Sequence, residues 1–294
     1  MHQTTRTSRL WQSALVRTLL YAGVLPLLLA LAACGGSTSA GTSTPAPVKL
    51  TVFAAASLQG AFTDIGKAYS VAHPNVTVTF NFAGSDALAT QITQGAPADV
   101  FASANATQMN VTVTGGEVDG SAVKTFAHNR LVVIYPTANP ANIQSLADLA
   151  KPGVKVDLAA KTVPVGQYAL TFLDAAAADP SYGASYKTNV LKNVVSYETD
   201  VKSVLSKVAL GEADAGIVYT TDAATETGKV GTVAIPDTLN TIALYPIGVV
   251  KTSKQAATAQ DFLNYVVSSD GQATLAKYGF IAGSDGKQYS PPSS

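Results

Sequence analysis

The chain has 294 residues, 47% of them hydrophobic and 13% charged, with 19 basic against 19 acidic side chains. A formal charge of zero gives no basic excess for a phosphate backbone, and the apolar content is too high for a disordered chain, so a folded core is expected and nucleic acid is not the expected partner. One Cys excludes an internal disulfide and a Cys-based zinc cluster, three His (His2, His73 and His128) leave little for an imidazole metal site, and the length predicts two domains of about 150 residues.

Residues 1–17 carry Arg6, Arg9 and Arg17 and no acid, and an apolar run follows from Leu19 to Ala33. This is the pattern of a signal peptide over 1–33: a basic start, an apolar middle and small residues before the cleavage point. As a membrane span the run is short against about 20 residues and is interrupted by Pro26. Its ending, Leu31-Ala32-Ala33-Cys34, resembles the lipobox of bacterial lipoproteins, which implies that Cys34 is lipidated and anchors a soluble domain to the cell membrane. Residues 34–47 form the tether, since the Gly, Ala, Ser, Thr and Pro after Cys34 cannot bury enough surface to order themselves. Cleavage before Cys34 removes three Arg and Trp11, leaving a mature chain of net charge −3 with no Trp and with Arg130 as its only Arg.

From Lys49 the pattern alternates. A strand over 49–54 leads to Ser57, placed as the N-cap of a helix on which Leu58, Ala61, Phe62, Ile65 and Tyr69 recur at helical spacing. A strand over 76–81 leads to Ser85 and a helix with Leu88 and Ile92; a strand over 99–103 leads to a helix capped by Asn105. Further strands are expected at 130–135, 154–158, 193–197, 214–218 and 241–250, and helices at 145–150, 165–177, 201–210 and 255–267. Pro164 takes the favoured first helical position, and Thr199-Asp200-Val201 forms a cap-like start to the 201–210 helix. Such alternation means an α/β fold with a parallel or mixed sheet, here in two lobes, whose ligands bind beyond the carboxyl ends of the strands.

Catalytic signatures are scarce. The phosphate-binding loop, the dinucleotide fingerprint and the nucleophile elbow are absent. Ser121-Ala-Val-Lys124 matches S-x-x-K without its companion motifs, and His73 and His128 read as structural. Ser57, Ser85, the helix starts Pro164-Val165-Gly166 and Thr199-Asp200-Val201, and Tyr219 at the end of Gly216-Ile-Val-Tyr219 stand out instead as neutral points that would place hydroxyls or first-turn N–H groups at one sheet edge. Each alone is an ordinary helix start or strand end; together, without catalytic alternatives, they equip the fold to hold a small anion on hydroxyls and helix N-termini.

Several segments resemble the molybdate-binding components of ABC importers: Thr51-Val-Phe-Ala-Ala-Ala-Ser57-Leu58, Phe82-Ala-Gly-Ser85, Gly95-Ala-Pro-Ala-Asp99-Val-Phe-Ala-Ser103, Gly211-Glu-Ala-Asp-Ala-Gly-Ile-Val-Tyr219 and Lys277-Tyr-Gly-Phe280. The likeness runs from about residue 49 to 283. It implies a two-lobed periplasmic-binding-protein-like fold of type II, with lobe I over 48–128 and 244–294 and lobe II over 129–243. It further implies a monomer that binds molybdate or tungstate without another cofactor, through Ser57, Ser85 and Tyr219 and the backbone N–H of Val165 and Val201. An ABC permease would be its partner, and it would not be an enzyme. The weighed alternatives are a receptor for another oxyanion or for ferric iron, disfavoured because Tyr219 is followed by Thr220 rather than a second Tyr, and a lipid-anchored serine hydrolase using Ser121 and Lys124.

Overall fold

Runs rich in β-branched and aromatic residues alternate with helices throughout residues 46–292, the part described by this computed structural model. The expected signal peptide and lipidated Cys34 lie outside the described residues. In chain order the elements are β1 (Val48–Ala55), α1 (Gln59–Ala72), β2 (Val76–Ala83), α2 (Ser85–Thr93), β3 (Val100–Ala102), α3 (Ala106–Thr114), β4 (Lys124–Asn129) and β5 (Leu131–Pro136). There follow β6 (Val156–Ala159), α4 (Pro164–Ala178), α5 (Tyr186–Lys192), β7 (Val194–Glu198), α6 (Val201–Ala209), β8 (Ala215–Tyr219) and α7 (Thr220–Ala223). The last are β9 (Val230–Ala234), β10 (Ala243–Val249), α8 (Ala256–Val267), α9 (Ser269–Lys277) and β11 (Ile281–Ala282).

These strands build two mixed sheets, ordered β11-β4-β10-β3-β1-β2 and β7-β6-β8-β5-β9. In the first, β1 runs parallel to β2 and β3 while β10 is antiparallel to β3 and β4; in the second, β6 runs parallel to β7 and β8 while β5 is antiparallel to β8 and β9. The chain crosses between sheets at Arg130 and again over 235–242. This is the α/β, two-lobed architecture that the alternation predicts.

Alternation along β1 and β3 explains why helices cover both faces of the first sheet. Leu50, Val52, Ala54, Val100 and Ala102 face one core, with Phe62 and Ile65 of α1 and Phe262 of α8; Phe53 and Phe101 face the other, with Leu88 and Ile92 of α2 and Met109 of α3. In the second lobe, α4 contributes Phe172 and Leu173 and α6 contributes Val204 and Val208.

Local differences have local causes. The helix expected at 145–150 is a 3-10 turn, Leu146–Ala150, started by a capping box between Ser145 and Asp148. The strands β4 and β9 and the helices α5 and α9 carry short or weakly periodic patterns, and long-range pairing or packing fixes them instead.

Candidate functional site

The parallel strands of both sheets release their carboxyl ends toward one place. There Ser57 follows β1, Ser85 follows β2, Val165 follows β6, Val201 follows β7 and Tyr219 ends β8. All five line a single small cavity. Its walls are otherwise small or apolar, Asp200 being the one ionisable side chain with a formal charge among them.

Ser57 does not cap α1. It sits inside a 3-10 turn, Ala56–Leu58, and the N–H of Gln59 is satisfied by the Ala56 carbonyl, so the backbone makes the bond expected of the side chain. The Ser57 hydroxyl is thereby released to meet the Tyr245 hydroxyl at 3.0 Å in a buried setting. Ser85 is not a cap either: Gly84 holds that position, and Ser85 is the first helical residue. Its Oγ accepts the Ala104 N–H at 3.0 Å, which leaves the hydroxyl proton for the cavity. Gly84 is required sterically, because a Cβ there would collide with the Thr199 carbonyl of the opposite lobe.

On the second lobe the donors are peptide groups. Pro164 opens α4 as expected and has no N–H to offer. Val163 N–H is bonded to the Ala160 carbonyl and Gln167 N–H to that of Val163, so Val165 and Gly166 carry the N–H groups of that turn that have no partner among the described residues. At the start of α6, Asp200 caps as expected, its Oδ1 accepting Lys202 N–H at 2.8 Å and Ser203 N–H at 3.0 Å. The Val201 N–H is what remains for the cavity. Asp200 Oδ2 accepts the Ser203 hydroxyl at 3.1 Å, so the cap turns both oxygens toward its own helix.

Tyr219 is 1% exposed and packs edge-on against Tyr168 and Tyr245, with ring centroids 6.5 and 5.8 Å away. Its hydroxyl has no hydrogen-bond partner among the described residues. Burial, reinforced by the neighbouring Tyr245, pushes its pKa well above that of an ordinary phenol, so it remains a protonated donor across the physiological range. A buried hydroxyl left unpaired costs about 1–3 kcal/mol, which an acceptor in the cavity would recover. Lys202, at the same helix start, is committed to the fully buried Asp222 at 2.8 Å.

A family profile of bacterial extracellular solute-binding proteins matches residues 50–281. The chain belongs to this family. The molybdate-binding protein ModA of Mycobacterium tuberculosis is 40% identical over 258 residues, covering 86% of this chain and 94% of that protein. The putative ABC transporter substrate-binding lipoprotein YvgL of Bacillus subtilis is 33% identical over 271 residues, covering 90% of this chain and 97% of that one. Among solved structures, the substrate-binding domain of a putative molybdenum ABC transporter from Clostridium difficile matches with a TM-score of 0.59 at 31% identity, over 80% of this chain and 99% of that one.

Membership places this solute-binding protein outside the cytoplasm, and the cavity lies in the space between its lobes. The lobes are in contact across that space. Asn105 Nδ2 donates to Gln167 Oε1 at 2.8 Å, and Gln108 Nε2 donates to the Thr162 carbonyl at 2.9 Å. The sequence pattern marks Asn105 only as a cap and gives no sign of these bonds between lobes. Its cap role holds, with Oδ1 accepting the Gln108 N–H at 2.9 Å. The signal was the choice of Asn over Asp or Ser, since only Asn has a spare N–H₂ after capping.

The other candidates do not assemble into chemistry. Ser121 donates to Asp119 Oδ1 at 2.8 Å on an exposed turn, with no bond to Lys124. His128 is buried with its two ring nitrogens facing the carbonyls of Ala282 and Lys287, and His73 stacks on Tyr69. No group of three or more His, Cys, Asp or Glu is placed to hold a metal ion among the described residues.

Proposed function

We propose that this solute-binding protein captures molybdate, and tungstate with it, and delivers the ion to the permease of an ABC importer. The observation that carries the reading is the cavity of aligned neutral donors, with the partnerless Tyr219 hydroxyl among them. Identity of 40% with a molybdate-binding protein supports the choice of ion.

Molybdate is a full dianion near neutral pH, and each of its oxygens only accepts hydrogen bonds. Two serine hydroxyls, a phenol and two helix-start amides satisfy such an ion without a counter-charge. Dense hydrogen bonding and the positive ends of α4 and α6 offset the cost of desolvating it. A protonated oxyanion such as hydrogenphosphate would need an acceptor, and an unpaired donor facing a donor is penalised. Sulfate carries the same acceptors on a smaller tetrahedron, so its rejection rests on fit. The Asn105–Gln167 and Gln108–Thr162 bonds stabilise the closed form and would break as the lobes part at the permease.

The protein acts in this reading as a receptor rather than an enzyme, as a monomer, held at the membrane by acyl chains on Cys34. Calorimetric titration of a soluble form beginning after Cys34 tests it, with molybdate, tungstate, sulfate and phosphate as ligands. Tight binding of the first two and weak binding of phosphate are expected. If no tetrahedral oxyanion binds better than about millimolar, a weak affinity for a dedicated site, the reading fails.

A further inference from the structure

We propose that Asn129 and Tyr245 are positioning residues for the Ser57 hydroxyl, fixing it as a donor toward the cavity and so setting the preference for fully deprotonated oxyanions over protonated ones. This rests on the oxyanion-binding reading above.

The direction of each proton follows from partners that cannot reverse. Asn129 Oδ1 accepts the Arg130 backbone N–H at 2.9 Å; that group can only donate, so the other end of the amide is the N–H₂. The Thr220 hydroxyl donates to the same oxygen at 3.1 Å. Asn129 Nδ2 then donates to Thr221 Oγ1 at 2.8 Å and to the Tyr245 hydroxyl oxygen at 3.4 Å. The buried Tyr245 proton needs an acceptor of its own, and the one remaining partner of that hydroxyl among the described residues is Ser57 Oγ, at 3.0 Å. Tyr245 therefore donates to Ser57, and the Ser57 proton is left to point into the cavity. Burial pushes the Tyr245 pKa far above that of an ordinary phenol, so its proton stays in place.

Two further features support the assignment. Asn129 and Tyr245 are both 0% exposed, so water does not compete for these bonds. Their places in the chain also suit a positioning role. Asn129 is the last residue of β4, immediately before the first crossing between sheets, and Tyr245 lies on β10 just past the second. The β10–β4 register shifts between Tyr245 and Pro246, an irregularity of the kind that re-aims a side chain. Ser85 needs no such relay, because the donor to its oxygen is the backbone N–H of Ala104. Only Ser57 depends on a hydroxyl whose direction must be imposed from behind.

The deciding experiment is calorimetric titration of the wild-type protein, Tyr245→Phe, Ser57→Ala and the double variant with molybdate and with phosphate, each checked for folding by thermal melting. Tyr245→Phe keeps the ring against Phe126, Tyr219 and Phe280 and removes only the hydroxyl. Molybdate affinity is expected to fall about tenfold while phosphate affinity does not fall, so the ratio between them drops by about the same factor. In the Ser57→Ala background the Tyr245 substitution should change molybdate binding by less than about twofold, the signature of a residue acting through its neighbour. Asn129→Asp supplies a second variant: its carboxylate would draw the Tyr245 proton away from Ser57 and lower the same ratio. An equal loss with and without Ser57, or wild-type affinity ratios in both Tyr245→Phe and Asn129→Asp, overturns the relay alone. Failure of the wild-type protein to bind any oxyanion overturns the functional reading and the relay with it.

Discussion

The two lobes furnish the cavity in different ways. The lobe built on β1, β2 and β3 offers hydroxyls, Ser57 and Ser85, whose donor character depends on which residue occupies the position. The lobe built on β6, β7 and β8 offers peptide N–H groups at the starts of α4 and α6, plus the phenol at the end of β8. Val165 and Val201 send their side chains into the core, at 1% and 4% exposure, while their amides remain available for the cavity. One residue thus anchors the helix and presents a donor, and the second role is indifferent to the side chain. Hydroxyl donors can be lost to almost any substitution, whereas amide donors are lost only when the backbone changes.

The largest effect should come from a substitution that reaches an amide. Val201 is the first residue of α6, where proline is tolerated, and Asp200 before it is already extended at φ −162° and ψ 170°. Val201→Pro should therefore keep the helix and delete one donor to the dianion, weakening molybdate about 30–100-fold, which is 2–3 kcal/mol for a charge-assisted bond. Val201→Ala should cost about 1–2 kcal/mol of stability through lost burial and leave affinity within about twofold. Titration of the pair decides the matter: equal affinities would break the distinction between the lobes. Next comes Ser85→Ala, expected to weaken molybdate about tenfold with the fold intact. The Ala104 N–H it leaves unpaired costs about 1–2 kcal/mol, visible as a modest fall in melting temperature. Global unfolding of that variant would make Ser85 a structural residue only.

The lobes also differ in how far they could be read from the sequence. Pro164 and Asp200 mark their helix starts by local chemistry, a missing N–H and a capping carboxylate, and both stand where expected. The strands 49–54, 76–81 and 214–218 were legible because β-branched and aromatic residues cluster there. Ser57 was located but misunderstood. A cap is a local bond that spacing can suggest, whereas its actual partner, Tyr245, lies 188 residues away. The same limit hid β4, whose place comes from pairing with β10 and β11, and the bond from Asn105 to Gln167 across the cleft. Periodicity reports which face of an element is buried and says nothing of which distant element covers it.

Tyr219 sharpens the comparison with effects of opposite sign. Tyr219→Phe removes a donor and should weaken molybdate about tenfold. The same change removes a buried hydroxyl that has no partner among the described residues, so the ligand-free protein should gain about 1 kcal/mol in stability. Melting without and with molybdate separates the two: the variant should melt higher than wild type alone and gain less from ligand. Lower stability in both states would mean that the hydroxyl is already satisfied and is not held in reserve for an anion.

The smallest effect concerns one carboxylate from each lobe, hydrogen-bonded in the first and left without a partner in the second. Asp99, beside β3, is satisfied by the Thr51 N–H at 2.7 Å and the Ser253 hydroxyl at 2.6 Å. Asp157, on β6, is 0% exposed and neither oxygen has a partner among the described residues. Burial, then the charge of Glu198 on the adjacent strand, pushes its pKa up to about 7 against the opposing pull of Lys207. A carboxyl raised in this way stays protonated in the folded protein at pH values where the unfolded chain has already ionised. Its contribution to stability is therefore full below about pH 4 and is lost as pH rises toward 7, with nothing left to lose above that. Asp157→Asn cannot ionise, so relative to wild type it should gain about 1–2 kcal/mol between pH 5 and pH 8, discounted from the full shift because Lys207 and Glu198 relax with it. Urea unfolding at several pH values measures this difference directly. Molybdate affinity should not move, since Asp157 does not line the cavity. A difference that stays constant across pH would show that Asp157 is already ionised in the folded state at the lower end of that range, and the proposed shift would be wrong.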